Sequence, residues 1–495
     1  MNQSTSSLHW CLKDLLSEWV SVSDQDNVFV TGVSEYSGDV VAGDLFIATS
    51  GSDYCGEAID KGAVAIICDD CMRDSFSHKN YSIPLIAVND LSEHISQIIL
   101  RFYGQGINHI KTVAITGTDG KTSVAHLTAQ ALENAGHSCG LIGTLGYGRI
   151  SSLSASTHTT PPLSRLAREY HQLEESGCDV VAVEASSHGI VQNRLRNIDI
   201  HTAVLTNITR DHLDYHKTIE NYVQAKAKLF FDHQAQSVVI NIDDPNGKKW
   251  PERLKDKCRV ITYSAINSDA DIYARDIQYF EQGVGLSLCI NDSWYDLKVP
   301  LLGEFNIMNV LAVVSVLVSF DISNEQIIQA IENVHAVPGR MQVANNSLNI
   351  SVVIDFAHTP AALSSAIHAM RSHFNGNLIC VFGCGGERDK GKRAEMGDIA
   401  TQFADTVVIT QDNPRNEDPE EIIKDILQGC KDAHNFIVIQ DRRKAIAHAL
   451  DIAETNDAVL IAGKGHEQTQ EIANQTLAFD DVLVANQEVE RIAHG

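Results

Sequence analysis

Seven short polar segments of the sequence concentrate residue types that bind phosphate, divalent metal or carboxylate: TGTDGKT, EASSHG, TNITRDHLDYH, DFAHTP, GCGGERDKGKR, TQDNPR and AGKGHE. In the first, Thr116-Gly117-Thr118-Asp119-Gly120-Lys121-Thr122, glycines precede a Lys and a hydroxyl. Glycines allow a turn tight enough to aim backbone N–H groups at phosphate, and a following helix adds the positive end of its dipole. Lys121 would then reach the terminal phosphates of a nucleotide, and the Thr122 hydroxyl could ligate Mg²⁺. The spacing is GxxGKT, shorter than the common GxxxxGKT, because position 115 is Ile. The alternative is a plain glycine turn bearing a surface Lys. Asp119 sets a carboxylate beside the phosphates, which fits only if it faces away or toward a metal.

Glu184 ends the β-branched run Val180–Glu184 and is a hard oxygen donor suited to Mg²⁺. Within Asn207–His216, residues Asp211, His212, Asp214 and His216 lie close together, and His212 could ligate a metal or orient a phosphate. His216 reads equally well as a hydrogen-bonded loop residue. Asp412-Asn413-Pro414-Arg415 places a guanidinium in a Pro-fixed turn. A guanidinium can hold a carboxylate through two parallel hydrogen bonds. Taken alone, the tetrapeptide is also a common helix-start turn.

Parallel α/β layers are what must position these segments, because short apolar runs alternate with helical patterns along the chain. A first block has strands at Gly43–Thr49, Ala63–Cys68 and Pro84–Val88, an amphipathic helix at Leu91–Tyr103 and a linker at Gly104–His109. A second has strands at Thr112–Thr116, Val180–Glu184, Ala203–Thr206 and Val238–Asn241. The helix Ser123–Ala135 follows the glycine turn, with Val124, Leu127, Ala131, Leu132 and Ala135 on one face. From about Val260 to Pro300 the pattern becomes an alternation with Gly turns, as in Gly283–Ile290, which predicts a small antiparallel sheet. The helical run Ile307–Phe320 follows. A third block alternates strands at Val352–Asp355, Leu378–Phe382, Thr406–Thr410, Phe436–Gln440 and Ala458–Ala462 with helices such as Glu420–Leu427 and Arg443–Ala453, a doubly wound sheet. The expected domains are 1–107, 108–340 and 341–495. All seven polar segments fall at carboxyl ends of strands, where open parallel sheets bind ligands.

Composition narrows the partners. Lys and Arg number 38 against 64 Asp and Glu, a formal net charge of −26, which repels polyphosphate backbones and argues against nucleic acid. Anionic ligands must therefore be held by locally placed cations and N–H groups. The longest apolar run, Val310–Phe320, is broken by Ser315 and Ser319 and falls short of the ~20 residues of a membrane span. No signal peptide is expected at Met1–Trp10, and eleven scattered Cys read as reduced thiols of a cytoplasmic protein.

In order along the chain, GTDGKT, EASSHGI, TNITRDHLDYH, GEFNIMN, PGRMQ and DFAHTP resemble the Mur ligases, the ATP-dependent amino-acid ligases of peptidoglycan precursor synthesis. The MurE type, which adds the third residue of the stem peptide, is the best match, and the resemblance runs from about Gly43 to His466. It implies a small N-terminal α/β domain for the UDP-linked substrate, a central P-loop ATPase-like domain with a small antiparallel sheet, and a C-terminal Rossmann-like domain for the incoming amino acid. It makes Gly117–Thr122 the ATP loop and Thr122, Glu184 and His212 Mg²⁺ ligands. Asn306 and Asn309 would contact the adenine side, and Arg340, Asp355 and His358 the ribose and phosphates. Lys226, which by itself reads as a solvated helix residue, matches the family lysine that becomes a carbamate and so an anionic metal ligand. Ser37, His158, Thr159, Thr160, Ser186, Gln192 and Arg194 would hold the UDP-muramoyl dipeptide. Where the family has Asp-Ser-Arg ahead of GDLF, this chain has Tyr36-Ser37-Gly38, so its uridine contacts differ.

The resemblance also addresses the added amino acid. Members adding meso-diaminopimelate share DNPR, and lysine adders lack its arginine. Diaminopimelate differs from lysine by a distal carboxylate, which Arg415 can bind; with lysine a desolvated guanidinium would be left unpaired, a mismatch worth ~10⁴ in discrimination. Arg388 should bind a substrate carboxylate too, Asp412, Asn413 and Pro414 complete the motif, and Gly463 and Glu467 would receive the distal ammonium. The expected protein is a monomeric ligase that activates the D-Glu side-chain carboxylate of UDP-N-acetylmuramoyl-L-alanyl-D-glutamate as an acyl phosphate. A lysine-adding ligase, a folylpolyglutamate-synthase-like ligase and a non-catalytic nucleotide-binding regulator are the competing readings. The muramoyl-peptide loop His158–Thr160, with EASSHG, speaks against the second, and retention of Lys121, Glu184 and Lys226 against the third.

Overall fold

The computed structural model describes residues 8–49, 52–76, 81–104, 109–344, 348–431 and 433–494. The chain clusters into two compact units, Met1–Tyr263 with Ser315–Ile322, and Ser264–Val314 with Ser323–Gly495.

The first unit carries two largely parallel sheets. The smaller runs Gly32–Ser34, Asp44–Ala48, Ala65–Asp69, Leu85–Val88. Asp44–Ala48 is buried along its length, hence the apolar run Leu45–Ala48. The helix Leu91–Tyr103 has the predicted bounds and buries Leu91, Ile98, Ile99 and Phe102. Gly32–Ser34 is too short to show a periodicity and was not expected. The proposed linker Gly104–His109 lies mostly outside the described residues.

The larger sheet orders Arg259–Ser264, Ser237–Asn241, Ile200–Leu205, Lys111–Thr116, Val180–Glu184, Cys139–Gly143 and Gly146–Arg149, parallel except for the last. Lys111–Thr116 sits between Val180–Glu184 and Ile200–Leu205, with Ile115 beside Glu184 and Thr116 beside Leu205. This order gathers the loops TGTDGKT, EASSHG and TNITRDH at one edge. One strand here was not expected, and one expectation is corrected. Cys139–Gly143 is a strand that glycines hid: a Cβ on Gly140 would come within 2.6 Å of Leu173, and one on Gly143 would collide with the Glu184 carboxylate. The antiparallel sheet does not begin near Val260, because Arg259–Ser264 pairs parallel with Ser237–Asn241. Helix Leu163–Glu175 ties the two sheets together through Arg168, whose guanidinium meets buried Asp44 at 2.6 Å and donates to the Tyr103 hydroxyl at 3.1 Å.

The second unit holds the antiparallel meander Ile272–Phe280, Gly283–Ile290, Ser293–Val299. Its six-stranded sheet runs Gln342–Val343, Ser351–Asp355, Ala458–Ala462, Leu378–Phe382, Thr406–Ile409, Phe436–Val438, with only the first strand antiparallel. Alternate residues face opposite layers. Val353, Cys380, Phe382 and Leu460 pack under the helices Pro360–His373, Gly391–Phe403 and Pro419–Leu427. Val352, Ile354, Val381 and Ile461 pack under Arg442–Asp451 and Asp481–His494. This is the doubly wound sheet expected from the sequence. Thr359 caps its first helix by accepting the Ala362 N–H ahead of Pro360.

Two features close off the strand ends. Arg442 and Asp481, both fully buried, pair at 2.7 and 2.8 Å; the guanidinium also donates to the carbonyls of Gln411 and Ala462, fixing the roots of TQDNPR and AGKGHE. A hairpin, Thr469–Ile472 with Gln475–Ala478, was not expected. Its two-residue turn takes positive φ at Ala473 and Asn474, the primed geometry that hairpins favour, but Ala473 hides the usual glycine signal.

Candidate active site

The glycine turn has the expected strand–turn–helix context, and its helix starts at Lys121, two residues earlier than predicted. Gly120 has φ +82° at the helix entry. A Cβ on Gly117 would collide with the Thr206 hydroxyl. The neighbouring loop clamps the turn: Asn207 accepts the N–H groups of Thr118 and Asp119 at 2.8 and 3.0 Å, and Thr206 donates to the Asp119 carbonyl at 2.6 Å. Thr206 and Asn207 therefore shape the loop, although the sequence marked them only as part of a polar segment. The Lys121 ammonium lies on the carbonyls of Gly117 and Thr118 at 2.8 and 2.7 Å. Asp119 is exposed.

Around this turn the structure assembles several predicted residues. Thr122 donates to Glu184 at 2.9 Å, and Glu184 also accepts the Thr144 N–H at 2.7 Å. A hydroxyl and a carboxylate side by side are hard oxygens that fit Mg²⁺. Among the described residues no three His, Cys, Asp or Glu side chains converge on one point. Lys226 is not a solvated helix residue. It is 1% exposed, and its Nζ donates to the Gly117 carbonyl at 2.7 Å and lies 4.5 Å from the Tyr222 ring centre. Burial, reinforced by the Lys121 charge, holds its amine well below the usual lysine range. His212, at φ +50°, pairs instead with Asp211 at 3.3 Å, its ring 5.0 Å from His188. His216 is buried on the Ser187 hydroxyl at 2.9 Å, the hydrogen-bonded alternative.

A second group in the same unit centres on Thr160. Its hydroxyl donates to the Glu184 carbonyl at 2.6 Å and accepts the Ser186 N–H at 2.9 Å, while its carbonyl accepts the Arg194 guanidinium. Arg194 also donates to Gln192 at 2.6 Å, and Thr159 meets Thr144 at 3.1 Å. His158 stands edge-on to Tyr36, ring centres 6.1 Å apart. Ser37, buried on Glu57 at 2.6 Å, is outside this network.

In the second unit Asn306 and Asn309 are buried near the start of Glu304–Ser319, with the Asn309 amide donating to Asn306 at 2.8 Å. Asp355 accepts the Met341 N–H at 2.8 Å; burial raises its carboxyl, with the Arg340 charge opposing. The Arg340 guanidinium lies 4.7 Å over the Phe356 ring, and His358 bonds the Phe356 carbonyl at 2.9 Å.

The loops that close the doubly wound sheet form one connected network. Asn413 accepts Lys464 at 3.0 Å and the Glu471 N–H at 3.0 Å, and donates to Glu467 at 2.7 Å. Lys464, fully buried, also pairs with Glu467 at 2.9 Å. Arg415, at φ +53°, donates to the Gly386 carbonyl at 2.8 Å and pairs with Glu471 at 2.8 Å. The Gly386 N–H donates to the Asn413 carbonyl at 2.9 Å, across the back of Pro414. A Cβ on Gly385 would lie 3.3 Å from Arg415 and 3.7 Å from the exposed Arg388, so both arginines flank this turn. Gly463, at φ +115°, passes Asp412, where a Cβ would stand 2.6 Å from the carboxylate. Burial raises the Asp412 carboxyl against the nearby Arg442 and Lys464. Lys464 sits inside a motif the sequence singled out, while Glu471 lies beyond it on the unexpected hairpin.

One expectation about the thiols is corrected: the cysteines read as scattered with no CxxC pair, whereas Cys68 and Cys71 stand in that spacing. Cys68 is buried, Cys71 is exposed in the following turn, and all eleven thiols are free.

Comparison with known proteins adds to this geometry. A Mur ligase middle domain matches residues 115–317, and the Mur ligase glutamate ligase domain matches residues 339–465. A UDP-N-acetylmuramoyl-L-alanyl-D-glutamate--2,6-diaminopimelate ligase of Alkalilimnicola ehrlichii is 40% identical over 482 residues, covering 95% of this chain and 97% of that protein. One of Coxiella burnetii is 41% identical over 468 residues, 92% of this chain and 95% of that one. A solved structure of such a ligase superposes with a TM-score of 0.70 at 31% identity, over 98% of this chain and all of that one.

Proposed function

The chain belongs to the Mur ligase family, and on that premise we propose that it joins meso-2,6-diaminopimelate to UDP-N-acetylmuramoyl-L-alanyl-D-glutamate at the expense of ATP. The observation that carries the choice of amino acid is Arg415. Its guanidinium is fixed by the Gly386 carbonyl and Glu471 beside Arg388, a cationic site suited to a carboxylate that lysine does not have.

A carboxylate does not acylate an amine directly, because the amine's attack would have to expel oxide. In our reading an oxygen of the D-Glu side-chain carboxylate attacks the γ-phosphorus of ATP and ADP departs. The diaminopimelate amine attacks the resulting acyl carbon, phosphate leaves, and the nitrogen loses a proton to give the amide. Gly117–Thr122 would cradle the phosphates, and Lys121 would leave the loop carbonyls to offset charge on the transferring phosphoryl group. Thr122 and Glu184, with His212 and a carbamate on Lys226, would hold Mg²⁺, which when bound neutralises phosphate charge. An amine reacts with CO₂ in its neutral form, and burial shifts Lys226 toward that form. Asn306, Asn309, Arg340, Asp355 and His358 would hold the rest of the nucleotide. Ser37, His158, Thr159, Thr160, Ser186, Gln192 and Arg194 would hold the muramoyl dipeptide. We assign this reaction to a cytoplasmic monomer; among the described residues no helix is long and apolar enough to cross a membrane.

The test is a purified-protein assay with ATP, Mg²⁺ and the UDP-muramoyl dipeptide, offering diaminopimelate and L-lysine separately. ADP, phosphate and UDP-tripeptide should form one to one with diaminopimelate alone. Equal use of lysine, or turnover without ATP, refutes the proposal.

A further inference from the structure

We infer that Glu471, on the hairpin that follows the GKGHE segment, binds the distal ammonium of the incoming diamino diacid and with Arg415 reads its distal end as a zwitterion. This rests on the function proposed above. The distal carbon of diaminopimelate carries an ammonium and a carboxylate on one atom. A receptor for that centre needs a cation and an anion side by side.

Arg415 and Glu471 provide such a pair. The guanidinium Nε and the carboxylate Oε2 are 2.8 Å apart, and both side chains line one cavity of about 210 Å³, together with Glu387, Asn416, Asn474 and Thr476. The pair is built into the backbone. Arg415 donates its N–H to the Glu471 carbonyl at 2.9 Å, and the Ala473 N–H returns to the Arg415 carbonyl at 2.7 Å. Register between the two segments is therefore fixed, whatever the side chains do.

The same hairpin is tied to the other groups expected at the ammonium. The Glu471 N–H and Glu467 Oε2 bond opposite ends of the single Asn413 amide, at 3.0 and 2.7 Å, so the two acids flank one side chain. Their electrostatic conditions differ. Glu467 Oε2 already receives the buried Lys464 ammonium and the Asn413 amide. Glu471 meets Arg415 through Oε2, and its side chain is 47% exposed and lines the cavity. An ammonium has three donors, and one acceptor largely neutralised by a lysine cannot satisfy them. Glu471 supplies a further anionic acceptor. The guanidinium keeps its Nη edge for the carboxylate, because Glu471 lies on the Nε side and the Gly386 carbonyl takes only one proton of Nη1. Lysine brings an ammonium without the carboxylate and so meets only half of the receptor.

The experiment compares Glu471→Gln with the parent on meso-diaminopimelate and on 2-aminopimelate, which keeps the distal carboxylate and lacks the distal amine. Loss of a charge-assisted hydrogen bond should raise KM for diaminopimelate by roughly tenfold or more, with KM for ATP unchanged. KM for 2-aminopimelate should stay within about twofold, and Glu471→Asp should recover part of the loss. Equal increases for both substrates would make Glu471 only a support for Arg415 and overturn the inference, as would no change for either. A parent protein that uses neither diacid would instead defeat the function proposed above.

Discussion

Replacing Arg393 with Met tests how far the amino-acid site depends on a residue that never reaches it. The guanidinium is fully buried and makes two bonds to Glu417 at 2.8 Å, one to Asp425 at 2.9 Å and one to the Gly385 carbonyl at 3.3 Å. Met fills similar space and abandons both acids. Glu417 keeps Lys390 at 2.9 Å and the Glu387 N–H at 3.0 Å, and these are too few for a mostly buried carboxylate. Removing one partner of a buried ion pair costs about 3–5 kcal/mol, which should appear as a lowered urea midpoint of the second unit. The pH dependence has a definite sign. Hydrogen bonds from Arg393, then Lys390, hold the Glu417 carboxyl far below its ordinary 4.5. Its contribution is present above that value and is lost as pH falls toward the folded-state value. The gap between variant and parent should therefore narrow on acidification below about pH 4.5. Since Gly385 and Glu387 belong to the turn flanked by Arg388 and Arg415, KM for diaminopimelate should rise while KM for ATP holds. A gap below about 1 kcal/mol at neutral pH, no larger than an exposed ion pair gives, or one that does not narrow in acid, would refute this account.

Two further outcomes concern the nucleotide turn. Gly117→Ala should cost at least ~100-fold in ATP-dependent kcat/KM, because its methyl meets the Thr206 hydroxyl, and adding Thr206→Ala should restore part of the loss in steady-state assays. Protein stripped of CO₂ should lose activity and regain it with bicarbonate, whereas Lys226→Gln should be inactive and indifferent to bicarbonate; a bicarbonate-insensitive parent would exclude the carbamate.

The strands that position the sites were legible because buried parallel strands leave unbroken apolar runs. Val180–Glu184, Leu378–Phe382 and Ala458–Ala462 occupy the residues the sequence marked. Cys139–Gly143 was not legible, because its glycines serve close packing against Leu173 and Glu184, which only the tertiary structure reveals. Arg259–Ser264 alternates like an antiparallel strand but pairs parallel, since partner choice is not written in a strand's own residues. Lys226 shows the same limit. A lysine on a helix carries no local sign of being buried against a carbonyl from a loop over one hundred residues away. Glu471 escaped notice because its hairpin lacks the expected turn residues.

Arg415 also constrains what else could stand in its place. Its φ of +53° is set by the bridge to the hairpin strand, so the left-handed backbone would outlast a change of side chain. Asn or Gly could enter at little conformational cost, whereas Val, Ile or Thr would oppose the main chain as well as lose the guanidinium. Routes by which such a ligase drifts toward a different diamino acid are thus filtered by torsion angles before selectivity is tried, and the accessible replacements are those that tolerate a reversed twist.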